Sequence, residues 1–151
     1  MQLGMIGLGK MGGNMARRLL AGGTRVIGYN QDTTATLTLA EEAGFEAADS
    51  VADLVRQLDG PRKVWLMLPA GDVTEAVFTD LRALLEPVDL IIDGANSWYK
   101  DSIRRAGIAA DHGLLFCDAG VSGGIWGLEN GYCLMAGGTD DAVSIIEPAI
   151  R

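Results

Sequence analysis

Apolar residues along the chain follow two alternating rhythms. Short, nearly unbroken apolar runs occupy residues 3–7 (LGMIG), 25–30 (RVIGYN), 63–69 (KVWLMLP), 88–93 (VDLIID) and 114–120 (LLFCDAG), with a brief one at 45–48 (FEAA). Runs of this length predict strands, and their lack of polar alternation predicts burial on both faces, as in a mainly parallel sheet covered by helices. Between them lie longer segments with apolar side chains at helical spacing. The first carries Met11, Met15, Leu19 and Leu20 within residues 11–23; others span 33–44, 50–58, 72–85 and 99–113. Glycines at 22–23, 44 and 113 mark helix stops, and Ser50 is placed to cap a helix start. Residues 132–138 read as a further strand and 140–150 as a final partial helix. This alternation predicts a doubly wound, Rossmann-type α/β fold with helices on both faces of the sheet.

The 151 residues suffice for one domain with a hydrophobic core. That domain is expected to fill residues 1–151 and to be truncated near its C-terminus, where the sequence stops in or just after what reads as a first helical turn. Glycine is the compositional anomaly: 21 residues, about twice the usual share. Five of these glycines fall in the stretch 118–135, DAGVSGGIWGLENGYCLM. It is either a loose surface loop or a backbone shaped to hold something.

A net charge of -8 argues against nucleic-acid partners, which need clustered Lys and Arg. It does not argue against a small anion, because backbone N–H groups bind phosphate without a basic surface. Cys117 and Cys133 have no metal-ligand spacing with His112, and both are expected to be buried or half-buried thiols in a reducing compartment. No metal site is expected. No run of 18 apolar residues and no leader pattern occurs, so the expectation is a cytoplasmic chain with no membrane association.

The chemistry-bearing motif is GLGKMG, a G-x-G-x-x-G of Gly7, Gly9 and Gly12 with Leu8, Lys10 and Met11 between. It follows a predicted strand and opens a predicted helix, the context required for dinucleotide binding. Gly7 makes the tight turn, Gly9 admits the pyrophosphate, and Gly12 lets helix and strand pack closely. The alternative is a glycine-rich turn of a flavodoxin-like fold. About 20 residues further on, the ribose-reading position holds Asn30, followed by Gln31 and Asp32. Asn30 can bond a ribose hydroxyl. No arginine stands beside it for a 2′-phosphate, and Arg25 should lie at the opposite strand end. The expected cofactor is NAD, with NADP less favoured.

Other strand ends should face the ligand. Leu68, Pro69 and Ala70 lead to Gly71 after the fourth predicted strand, near the cofactor or in an ordinary β–α turn. After the fifth come Asn96, able to donate and accept at once, and Ser97, a candidate helix cap. Asp93 reads as structural, satisfying loop N–H groups. Lys100 falls one turn into a helix, which favours a solvated or phosphate-bound ammonium over a catalytic base. Ser122, Gly123 and Gly124 can form an anion-binding nest. His112 sits at a predicted helix C-terminus, a favourable end interaction.

Several stretches resemble the 6-phosphogluconate dehydrogenase family, within the wider β-hydroxyacid dehydrogenases. MIGLGKMGGNMARRL is similar to the family's opening motif, VWLMLPAG to its fourth-strand segment, and IIDGANSWYKDSIRR to its DGGNS-x-Y-x-D stretch. DAGVSGGIWGLENGYCLMAGG is the most specific match, to the shorter bacterial branch that often prefers NAD. The resemblance covers essentially the whole chain. It implies an NAD(P)-dependent oxidation and decarboxylation of 6-phosphogluconate to ribulose 5-phosphate and CO2. It places Gly7, Gly9 and Gly12 at the pyrophosphate, Met11 beside the nicotinamide and Asn30 at the adenosine ribose. Asn96, Ser122, Gly123 and Gly124 would touch the phosphorylated sugar acid and the nicotinamide together, which makes Asn96 a cofactor contact as well.

The chain departs from that pattern in three ways. Gln31 stands where the NADP enzymes carry arginine, and Asn30 where the NAD branch usually has aspartate. The family's general-base lysine and general-acid glutamate are expected beyond Arg151, so no catalytic residue is assigned within the chain. The all-helical domain through which a full-length protein would form a homo-oligomer is also expected to be absent. Alternatives are another β-hydroxyacid dehydrogenase, an imine-reducing relative, or a non-catalytic dinucleotide-binding module.

Overall fold

The computed structural model describes residues 1–150. The long apolar runs become parallel strands: β1 (Gln2–Ile6), β2 (Arg25–Tyr29), β4 (Lys63–Leu66), β5 (Leu90–Asp93) and β6 (Leu115–Ser122), with the two-residue β3 (Glu46–Ala47) beside β2. Between them run α1 (Lys10–Ala21), α2 (Thr33–Ala43), α3 (Val51–Gln57), α4 (Asp72–Leu84) and α5 (Tyr99–Asp111). The sheet order is β3-β2-β1-β4-β5-β6-β7, in which β7 (Cys133–Gly138) alone is antiparallel. The order reverses at β1, flanked by β2 on one side and β4 on the other. That switch point is where a doubly wound sheet opens a crevice at its carboxyl edge.

Strand residues alternate between two cores. Leu3, Met5, Trp65, Ile92, Cys117 and Ala119 face α1, α2 and the C-terminal helix α7 (Asp140–Ile150). Ile6, Val64, Leu66, Ile91 and Phe116 face α3, α4 and α5. Both faces being buried explains why these segments read as solid apolar runs. Local signals set the element ends. The Asp32 carboxylate accepts the Ala35 N–H at 3.0 Å to start α2, and Ser50 does the same for Asp53 at 3.1 Å to start α3. Gly44 ends α2 at φ +86°.

Four expectations are corrected. β4 stops at Leu66 rather than running to Pro69, and β6 continues through Ser122, because β7 pairs with it to the register Ser122↔Cys133. The final helix fills the expected residues, Asp140–Ile150, and so makes about three turns rather than stopping near its first. Cys133 is exposed, since β7 is the sheet's edge; only Cys117 is buried, and burial pushes its thiol up to about 11, making it inert. Arg25 does lie at the opposite strand end, opposite Gln2, where its guanidinium grips Glu46 through two contacts of 2.7 Å.

Helices α4 and α5 are tied by Glu75, which accepts from Arg104 at 2.9 and 2.7 Å and from Arg105 Nε at 2.9 Å. These guanidiniums, Arg104 first, hold the Glu75 carboxyl down at about 2. A folded-state pKa below the ordinary 4.5 means that the tie contributes stability above about pH 4.5 and loses it as pH falls toward about 2. Glu75 is about a third exposed, which keeps the effect modest and salt-sensitive. Glu75→Gln should lower the urea midpoint at neutral pH and progressively less as pH approaches about 2. Equal losses at both ends of that range would contradict the ion-pair account.

Candidate functional site

The loops that leave β1, β4, β5 and β6 stand side by side because those strands are adjacent and parallel. Backbone bonds lace them together. Gly7 N–H donates to Tyr29 O at 2.9 Å, Met67 N–H to Ile6 O at 2.7 Å, and Gly94 N–H to Leu66 O at 2.9 Å.

The three fingerprint glycines are required for different reasons. Gly7 turns at φ +94°, and a Cβ there would overlap the Met67 carbonyl oxygen. A Cβ on Gly12 would overlap the carbonyl oxygen of Gly7 itself, so α1 can lie on the turn only without it. Gly9 is different: its φ of −62° suits any residue, and a Cβ would meet no atom within 4 Å. It faces open space directly before the first residue of α1. That helix has no side-chain cap and no acidic residue in its first turn, whereas α4 begins with Asp72 and Glu75 and α5 carries Asp101. The first N–H groups and positive dipole end of α1 are thus left for an external anion. The residues present fit a bound pyrophosphate.

Asn30 lies against this turn, its Oδ1 3.4 Å from Leu8 N–H. Gln31 is exposed, and the neighbouring Asp32 carboxylate is engaged as the α2 cap. After β4, Leu68 is half-buried while Pro69 and Ala70 are exposed at the sheet edge. The buried Thr74 hydroxyl donates to Pro69 O at 2.8 Å and pins that turn.

After β5, Asp93 is fully buried and carries more than the loop bonds expected of it. One of its oxygens accepts the Ala95 N–H at 3.0 Å. The other accepts the Ser97 hydroxyl at 2.8 Å and Arg105 Nη1 at 2.9 Å. Ser97 is therefore not the helix cap; the cap position is Trp98, and the Ser97 hydroxyl also accepts from Arg105 at 3.0 Å. Sequence reading missed Arg105. Its signal was there: Ser102, Arg105 and Ala109 recur at helical spacing on the buried face of α5, and a charge on such a face needs a buried partner.

Asn96 sits at φ +54°, a left-handed conformation that asparagine tolerates. Its carboxamide is held by Val121: Nδ2 donates to Val121 O at 3.1 Å and Oδ1 accepts Val121 N–H at 2.9 Å. One N–H and one lone pair of that group stay available. Ser122, Gly123 and Gly124 follow at once and are exposed. Gly123 and Gly124 have φ of +139° and +52°, so the loop needs glycine at both. Beyond them a short 3-10 turn (Gly124–Trp126) and the one-turn helix α6 (Gly127–Asn130) pack on α1, where Arg18 donates to Leu128 O at 2.9 Å. The glycine-rich stretch is a shaped connection.

Lys100 Nζ lies 5.0 Å from the Trp98 ring centroid and 5.9 Å from that of Tyr99, a cation–π arrangement on the surface. His112 ends α5, with Nδ1 2.9 Å from Ile108 O. Burial, and secondarily the Asp93 charge, raises the Asp118 carboxyl above its ordinary value. A depression of about 630 Å³ between α1 and α7 is lined by Leu19, Trp65 and Tyr132 and by none of the fingerprint residues. Among the described residues no group of three or more His, Cys, Asp or Glu is placed to hold a metal, and no helix is long and apolar enough to cross a membrane.

Sheet order, glycine turn and bare helix N-terminus together define a Rossmann-type dinucleotide-binding domain. Residues 2–151 match the model of the NAD binding domain of 6-phosphogluconate dehydrogenase. The chain belongs to that family. It is 42% identical over 148 residues to the NAD(+)-dependent, decarboxylating 6-phosphogluconate dehydrogenase of Haloferax volcanii, covering 98% of this chain and 48% of that protein. It is 37% identical over 153 residues to the NADP(+)-dependent, decarboxylating enzyme of Bacillus subtilis, covering 99% and 33%. The solved 6-phosphogluconate dehydrogenase of Plasmodium falciparum superposes with a TM-score of 0.92 at 29% identity, covering 99% of this chain and 33% of that one. The chain thus spans about half the length of the Haloferax relative or a third of the others.

The glycine geometry separates binding from folding. Gly9→Val should leave the circular dichroism spectrum and melting temperature nearly unchanged while weakening NADH binding at least about tenfold, since its side chain enters the open space at the helix N-terminus. Gly12→Val should instead destabilise the fold by about 1–3 kcal/mol or more through overpacking against Gly7. Fluorescence titration and thermal melts of both variants check this; equal loss of stability in the two would be against it.

Proposed function

We propose that this chain is the coenzyme half of a decarboxylating 6-phosphogluconate dehydrogenase, with NAD preferred over NADP. The observation that carries the reading is the open space at Gly9 before the uncapped N-terminus of α1, in a chain of this family. The backbone of Gly7, Leu8, Gly9, Lys10, Met11 and Gly12 holds the pyrophosphate, with Met11 toward the nicotinamide. Asn30 and Gln31 meet the adenosine ribose, and Leu68, Pro69 and Ala70 border the same cleft. Asn96 contacts cofactor and substrate with its remaining N–H, and Ser122, Gly123 and Gly124 lie along the phosphorylated sugar acid. When bound, the dinucleotide supplies the hydride acceptor.

None of these residues is a base for the substrate hydroxyl. Oxidation of a secondary alcohol requires one within hydrogen-bond reach. Lys100 is occupied by the aromatic pair and His112 by its own helix end. We assign the lysine base and glutamate acid to the part of the protein outside these residues. The 151-residue chain by itself should bind NADH but produce it from 6-phosphogluconate far below about 1 s⁻¹, the low end of typical enzymes. Steady-state absorbance on the purified chain is the measurement, and turnover at that rate would refute the assignment.

The coenzyme preference rests on the neutral, exposed Gln31 and the Asp32 carboxylate beside it, which disfavours a 2′-phosphate. Titrations with NADH and NADPH should favour NADH. Gln31→Arg should move the ratio toward NADPH by about 1–2 kcal/mol, the scale of one charge-assisted pair. Tighter binding of NADPH to the unaltered chain would overturn the preference while leaving the dinucleotide site intact.

A further inference from the structure

The geometry points to a positioning relay: the buried Arg105–Asp93 pair, acting through Ser97 and Ala95, fixes Asn96, whose side chain takes the place of a missing strand and sets where Ser122 and Gly123 stand. The last register pair between β5 and β6 is Asp93↔Asp118. β6 runs on to Ser122, so beyond Asp118 it has lost its β5 partner on that side. Val121 still pairs in register with Leu134 of β7 on the other side, but its own N–H and C=O both go to the Asn96 carboxamide. A primary carboxamide offers the same donor and acceptor as a peptide group. Asn96 therefore acts as a one-residue continuation of β5, one position before the serine.

Such a clamp is only as firm as its own mount. Asn96 is exposed and left-handed, and packing does not hold it. Its two neighbours are held instead. Ala95 N–H goes to one Asp93 oxygen and the Ser97 hydroxyl to the other, so a single buried carboxylate grips the chain on both sides of Asn96. Arg105 neutralises that carboxylate and reaches the Ser97 hydroxyl as well, and its Nε is steadied by Glu75. Arg105 and Asp93 are 1% and 0% exposed, so the mount is rigid and desolvated. Ser97, Asp93 and Arg105 are positioning residues for the loop that the proposed function assigns to the substrate, and the relay's bearing on turnover rests on that reading.

The test uses Ser97→Ala, which removes the hydroxyl and leaves no charge unpaired; Ser97→Thr, which keeps the hydroxyl; and Asn96→Asp, which keeps the acceptor for Val121 N–H and loses the donor. Amide hydrogen exchange is followed in this chain. Kinetics are followed in the enzyme of full family length that carries it. In Ser97→Ala and Asn96→Asp the Val121 amide should exchange about fivefold to tenfold faster, the scale of one lost hydrogen bond. Amides of β1 and β2 should be unchanged in both variants, and the affinity for NADH should be unchanged in Ser97→Ala. kcat with 6-phosphogluconate should fall while KM for NAD stays constant, and Ser97→Thr should restore both exchange and kcat. Unchanged exchange at Val121, or a uniform rise across the sheet, overturns the relay, as does a kcat loss in Ser97→Ala matched by lost NADH affinity. A wild-type enzyme inert toward 6-phosphogluconate would defeat the substrate reading on that control, and the exchange pattern alone would then decide the relay.

Discussion

The closeness of α1 to the turn that precedes it is the constraint on which the rest of this domain depends. A single methyl group at Gly12 would overlap the Gly7 carbonyl, and one at Gly7 would overlap the Met67 carbonyl of the neighbouring strand's loop. With hydrogen at both positions, α1 starts directly against the Gly7 turn and Met67. Its apolar face, Met15, Ala16 and Leu19, then falls on Leu3, Met5 and Trp65. The same closeness aims the uncapped helix N-terminus at the switch point of the sheet. Core packing and the open helix N-terminus are two results of one geometric condition, which is why a side chain at Gly12 would clash and one at Gly9 would enter open space.

On the other side of the crevice the frame is polar. Asp93 and Arg105 are buried as a pair, and the desolvation of both is compensated by hydrogen bonds from Ala95 and Ser97 and by Glu75. Removing either partner would leave a buried charge uncompensated, at a cost of about 3–5 kcal/mol. An apolar pair of similar volume could fill the same space, but it could not hold Ala95 and Ser97 by name. The polar choice gives one definite placement for the loop between them.

Much of this was legible in the order of residues. The strand–helix alternation gave a mainly parallel, doubly wound sheet because strands buried on both faces leave an unmistakable apolar signature, and the fingerprint glycines marked their own turn. Legibility failed where a side chain's partner is distant in sequence. Ser97 looked like a cap because serine before a helix usually is one, yet a carboxylate four residues earlier claims it. The clamp that Asn96 makes was not legible either, since nothing local announces Val121, 25 residues on. β6 read two residues short because only β7, an antiparallel edge strand, extends it. Cys133 read as buried because the same edge position was not foreseen.

The acidity of the chain and its fitness for a doubly charged pyrophosphate are compatible because charge acts locally. The net charge of -8 is spread over a surface where separations beyond about 10 Å are screened. Near the crevice the carboxylates are already engaged: Asp93 by Arg105, and Asp32 by the first turn of α2. What faces the open space at Gly9 is a helix start whose first turn holds Lys10 and no acid. Donor groups that cannot be protonated away or rotated aside outweigh distant charges that solvent screens, so an acidic domain can offer a phosphate a positive seat made of backbone.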